Sequence, residues 1–321
     1  MANELDDLFS GNLDTKMDFL TEKKSVNADG IYRVDLSKAK DKKKGYKSTI
    51  RFLPNLTKEG GVGQSAIEKI THYVDIKNLK ELSGWFDSAK NFNEKCTLTD
   101  LYYNMINSKN AILQEKAKCL KYSKKYYSYA LVIEDEQQPE LVGKIVIIQY
   151  GKTIKDKILA EKNGEISGVP CNVFDLAQGK DFVMWVKEIQ TGEDTYPDYK
   201  QSDFKKDTTS LPIYFEEKGI FKNTPLVDGK IDPKAQQMVK DFLLKREHEL
   251  EEFQPKRLTE EQHAKINEII NYLTGKASTS FGKKEVPSSS DFDFEETFTS
   301  GATPGTAGDD SDDDDFFGDF K

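Results

Sequence analysis

The chain has 321 residues, 36% of them hydrophobic and 32% charged, with a formal net charge of -9. That length supports a substantial core, while the charge content keeps part of the chain out of it. Cys96, Cys119 and Cys171 are odd in number and widely spaced, which excludes a disulfide framework and fits a reducing, cytoplasmic setting. No segment is apolar enough to span a membrane, and the start has no basic and apolar leader.

The acidity is local. Residues 288–321 hold eleven carboxylates against one cation, Lys321, and the rest of the chain has 46 basic and 45 acidic residues. A body near neutrality with an acidic tail is compatible with an anionic partner, which a uniform charge of -9 would oppose.

In chain order, residues 1–28 read as an arm in which Leu13, Met17, Phe19 and Leu20 line one side of a short helix, a candidate for self-association. Lys38 to Lys58 then carry eight cations against Asp41 alone. This run leads into a strand over Tyr46–Leu53 that Pro54 ends. Residues 97–120 have helical spacing, with Leu98, Leu101, Met105 and Ile106 on one stripe and Ile112, Leu113 and Leu120 beyond a break at Asn107–Ser108.

The segment from Lys121 to Ile133 alternates lysines with tyrosines and finishes in an aliphatic run, the pattern of a strand anchored in a core at one end. It pairs by pattern with Lys144–Ile148 across the polar stretch 134–143. A short basic helix over Gly151–Glu161, a strand over Asp181–Ile189 and an aromatic, lysine-rich loop from Tyr196 to Phe204 follow. Beyond Pro233 the spacing is helical, and Thr259 with Gln262 makes a capping box for a helix that Gly275 ends. From Lys276 the composition is too polar to fold.

These elements predict a mainly β protein with inserted helices. Its parts are an arm (1–28), an OB-fold-like core (29–215), a helical packing region (216–275), a flexible linker (276–308) and a disordered acidic tail (309–321). Catalytic parts are missing. Gly151-Lys152-Thr153 lacks the earlier glycine of a phosphate loop, since position 146 is valine, and His72, His248 and His263 are far apart in sequence.

Several segments resemble the single-stranded-DNA-binding proteins of T-even-like bacteriophages. They are Ile50–Pro54, Lys124-Lys125-Tyr126-Tyr127, the run Gly143-Lys144-Ile145 through Tyr150-Gly151-Lys152 to Ile154, Asp156, Lys157 and Ile158, then Pro170, Gly179, Phe182 and Val183, and finally Tyr196, Tyr199 and Phe204. The resemblance covers roughly residues 30–215 and the character of the tail. It implies an OB-fold core, self-association along DNA through the arm, and a tail that recruits replication and recombination proteins. It also implies a structural zinc held by one histidine and three cysteines. Only His72 and Cys96 fall at such positions here, Thr99 stands where the second cysteine of a Cys-x-x-Cys pair is expected, and the remaining position falls near Lys90. No bound metal or other cofactor is therefore expected.

The residues suit single-stranded nucleic acid, whose phosphates need charge and whose unpaired bases need flat partners. The expected phosphate contacts are Lys42, Lys43, Lys44, Lys47, Arg51, Lys121, Lys124, Lys125 and Lys152. The expected stacking surfaces are Tyr46, Tyr126, Tyr127, Tyr129, Tyr196 and Tyr199. In the tail, Asp312, Asp313, Asp314 and Asp315 with Phe316, Phe317 and Phe320 form a candidate docking peptide for partner proteins. A single-stranded RNA binder, or an acidic-tailed assembly or chaperone protein with solvated lysines, would share much of this pattern.

Overall fold

The computed structural model describes residues 30–275 apart from 37–38, 40–44, 60, 77–78, 167, 192–193, 212–225, 228–229 and 232. The arm, Lys42, Lys43 and Lys44, the linker and the acidic tail lie outside the described residues.

The strands are β1 (Ile31–Tyr32), β2 (Tyr46–Leu53), β3 (Ile67–Val74), β4 (Gly84–Asp87), β5 (Leu120–Asp135), β6 (Ile145–Tyr150), β7 (Lys180–Thr191), β8 (Asp194–Asp198), β9 (Asp203–Thr208), β10 (Leu226–Val227) and β11 (Lys230–Ile231). The helices are α1 (Thr97–Ile106), α2 (Ala111–Ala117), α3 (Lys152–Asn163), α4 (Pro233–Leu243) and α5 (Glu260–Thr274). The protein is thus mainly β with packing helices. One sheet follows the order β1-β6-β5-β2-β7-β8, with β9 also on β7, and β3 joining β5 to β4.

β5 holds the sheet together. Its 16 residues reach about 50 Å at the usual rise per strand residue. Leu120 to Tyr127 pair with β3, Tyr126 to Leu131 with β6, and Tyr129 to Asp135 with β2. Leu120 therefore opens a strand rather than closing the helical region the spacing predicted, and α2 stops at Ala117.

Alternation along these strands sorts side chains into three cores. Ile50, Phe52, Ala130, Val132, Phe182, Met184 and Val186 fill the first. The second packs α1 and α5 on β3 and β4 through Leu98, Leu101, Met105, Val74, Phe86, Ile266, Ile269 and Leu273. The third lays Val239, Leu243 and Leu250 against Leu53, Tyr129, Leu131 and Ile133. α5 starts at the expected capping box, Thr259 accepting from the Gln262 backbone, and ends at Gly275 with φ 73°.

Two buried polar clusters pin the sheet. Tyr32 and Tyr46 both donate their phenols to Asp135, and the backbone N–H groups of Gln137 and Gln138 donate to the same carboxylate at 3.0 Å. Burial pushes both phenols well above the usual tyrosine range, so they stay protonated donors. On the neighbouring strands, Arg51 faces Asp181 at 3.5 Å and donates to the Asp175 carbonyl at 2.7 Å. A Cβ on Gly179 would lie 2.5 Å from the same guanidinium, so only glycine fits there. No helix among the described residues is long and apolar enough to cross a membrane.

Candidate nucleic-acid interface

The structure divides the expected contacts into interior and surface groups. Arg51 is 0% exposed and its charge is taken up by Asp181, so it is a structural cation rather than a phosphate contact. Tyr46 is buried with its phenol on Asp135 at 2.7 Å. Tyr126 is buried in the first core, stacked on Tyr150 with ring centroids 5.7 Å apart. Tyr129 is buried in the third core, accepting the Leu250 N–H at 2.5 Å, with the Arg246 guanidinium 4.5 Å from its ring centroid. Stacking on a base needs an open ring face, and these three do not offer one. Tyr196 is also buried, on β8 opposite Ile189, in a strand where a loop was expected. Tyr199 is half-buried against the first core.

Tyr127 points to the other face of β5 from Tyr126, as strand alternation requires. It stacks on Phe253 at 5.0 Å and keeps partial exposure. Lys124 is half-buried and faces Glu68 at 3.5 Å. Lys125 is the cross-strand partner of Lys69, and Lys121 that of Tyr73. Lys152 opens α3 immediately after Gly151, where the helix dipole adds positive potential.

One cluster joins an expected residue to two that the sequence reading missed. Lys47 is exposed on β2 and lies directly across from Trp185 on β7. The Trp185 ring has the Lys47 ammonium 5.5 Å from its centroid and the Lys187 ammonium 4.9 Å away. Phe182, Met184 and Val186 point into the first core, so Trp185 and Lys187 share the opposite face of β7. The alternation of that strand carried the signal, but Trp185 reads from sequence as one more apolar strand residue.

The positions that would hold the resembling family's zinc do come together. His72 Nε2 lies 2.9 Å from Thr99 Oγ1 and 3.7 Å from Cys96 Sγ, all three buried. Ser88 supplies the fourth side of the cluster as a hydrogen-bond partner of Cys96, whereas Lys90 instead lies over the Tyr103 ring at 5.7 Å. Burial of Cys96 opposes ionisation, but hydrogen bonds from His72, Ser88 and Thr99 outweigh it and lower the thiol to about 5. Two neutral hydroxyls in place of two thiolates do not make a tetrahedral zinc site. Among the described residues no group of three or more His, Cys, Asp or Glu side chains is placed to hold a metal.

A family model described as gp32 DNA binding protein like matches residues 44–274. No curated protein matches the sequence significantly. The matched span takes in the second and third cores, the first apart from Tyr32 and its neighbours on that side, the Lys47–Trp185–Lys187 cluster and the lysine-rich part of β5. The chain belongs to the gp32-like family of DNA-binding proteins.

Proposed function

We propose that this protein coats single-stranded DNA with little sequence preference during phage replication, recombination and repair, in the cytoplasm of the infected bacterium. It acts by binding and not by catalysis, and its acidic tail recruits replication proteins. The observation that carries the DNA contact is the Lys47–Trp185–Lys187 cluster, which puts two ammonium groups and one indole on the outer face of β2 and β7. Ammonium groups neutralise phosphates without reading a base, and an indole stacks on any base. Lys124 and Lys125 on β5 and Lys152 at the start of α3 are further candidate phosphate contacts elsewhere on the body. Lys42, Lys43 and Lys44, just ahead of Lys47 in sequence, add three more charges.

Titration of a fluorescent oligonucleotide at several salt concentrations tests this reading. Affinity for single strands falls steeply with salt, and replacing Lys47 and Lys187 by Ala flattens the log-log slope by about 0.7 for each phosphate left without its cation. Absence of single-strand binding at low salt overturns the proposal. Equal affinity for RNA and DNA of the same sequence would replace DNA by single-stranded nucleic acid in general.

A further inference from the structure

A second aromatic surface lies on the other half of the sheet. Trp85 is 56% exposed on β4, a strand that among the described residues pairs only with β3. Its neighbour Phe86 is buried in the second core, so Trp85 belongs to the opposite, outward face. Directly across the ladder is Tyr73, half-buried, with ring centroids 4.8 Å apart and planes inclined by 36°. Across the next ladder Tyr73 pairs with Lys121. The backbone register thus sets an indole, a phenol and a lysine position in one row over three strands.

The same face carries more positive charge. Farther along β3, Lys69 pairs with Lys125. Two like charges placed opposite each other weaken a sheet unless an anion offsets them. Asp87 partly does so through Lys69, at 3.1 Å, while also accepting the Lys256 backbone N–H at 2.7 Å. Exposed Lys256 follows Phe253, which packs on Tyr127 of the same face. An exposed tryptophan usually needs no function, and a cross-strand aromatic pair adds some sheet stability by itself. Neither reason accounts for the paired lysine positions, Lys69 and Lys125, farther along the same face.

We propose that the Trp85–Tyr73 pair is a base-stacking step, and that single-stranded DNA crosses the outer face of β4, β3 and β5 with a phosphate on Lys125. This inference rests on the DNA-binding reading and adds a contact surface separate from the Lys47–Trp185–Lys187 cluster. Aromatic rings alone would suit an apolar peptide, but Lys69 and Lys125 on the same face favour a polyanion, and a ring of this size matches a base.

The test uses the full chain and unlabelled oligo(dT). The signal assigned to Trp85 is the difference between fluorescence titrations of the wild type and Trp85→Phe, and saturating oligo(dT) quenches it. Trp85→Ala weakens binding about 5- to 150-fold, the range expected for one stacked base, while Trp85→Phe retains much of the affinity. Because stacking releases no counterions, Trp85→Ala leaves the salt slope unchanged, whereas Lys125→Ala reduces it by about 0.7. Thermal unfolding of each variant confirms that the fold is kept. Wild-type binding with no Trp85 quenching and no change in affinity on Trp85→Ala overturns this inference and leaves the proposed function standing. Failure of the wild type to bind overturns both.

Discussion

Arg51 shows how the same side chain changes meaning with its surroundings. In a basic segment its guanidinium suggests a phosphate ligand, but between β2 and β7 it neutralises Asp181, which is 1% exposed. Lys205 also reaches Asp181 at 3.4 Å, but from a half-exposed position. Arg51→Ala would take from a buried carboxylate the guanidinium that neutralises it, at a cost of about 3–5 kcal/mol. The expected result is a large drop in urea midpoint, with DNA affinity per folded molecule unchanged. Cys96 supplies a titration test at the same scale. An unfolded thiol ionises at about 8.5, whereas folded Cys96 does so at about 5. Between those values the unfolded chain binds one proton more than the folded one, so this group makes stability rise with pH by up to about 1.4 kcal/mol per unit. Its contribution is complete above the unfolded value and is lost as pH falls through the folded one. Cys96→Ser removes that part of the slope, as urea midpoints measured across the window will show. Cys119 and Cys171 give no such slope, because burial raises both thiols.

Elements with strong local patterns were legible before the structure, and those defined by distant partners were not. The aliphatic end of β5, the paired β6, α3 and the capped α5 follow from periodicity, turn residues and caps that lie within each segment. β3 and β4 escaped notice. β3 mixes Glu68, Lys69 and His72 with its apolar residues, and it becomes a strand through pairing with β5, some fifty residues away in sequence. The candidate site was less legible than the fold, for a related reason. Consecutive Tyr126 and Tyr127 look equivalent in sequence, yet one enters the first core and the other packs on Phe253, which arrives from the C-terminal region. Tyr46 likewise looked like a surface ring until Asp135 reached it from the far end of β5. The lobe built by β3, β4, α1 and α5 carries a consequence for metal dependence. Its second core is continuous around the His72–Ser88–Cys96–Thr99 cluster, with Phe86, Leu98, Leu101 and Ile269 buried. Hydrogen bonds and apolar packing stabilise it without four metal ligands, so a strong chelator is expected to leave its melting temperature unchanged. Stoichiometric zinc that is lost together with this lobe's structure on chelation would disprove that.

At the scale of the whole molecule, the sequence separates a nearly neutral body from an acidic end. The seven carboxylates from Asp309 to Asp319 form a run that resembles a phosphate chain in charge, and the polar stretch 276–308 is long enough in sequence to let it reach the cationic face of the body. Phe316, Phe317 and Phe320 add apolar anchors that a charge mimic alone does not need. The two features separate two roles. Under the proposed function, the carboxylates would compete with DNA for Lys47, Lys187 and the lysines of β5, and the rings would hold a partner protein once DNA has displaced the tail. Deleting residues 309–321 is therefore expected to tighten single-strand binding at low salt, with a smaller gain at high salt because screening already weakens the competing contact. The same deletion abolishes capture of replication proteins. Replacing the three phenylalanines by Ala abolishes capture while leaving DNA affinity near the wild-type value. Equal effects of the two changes on DNA affinity would show that the rings, too, occupy the DNA-binding face, and the division of labour within the tail would have to be abandoned.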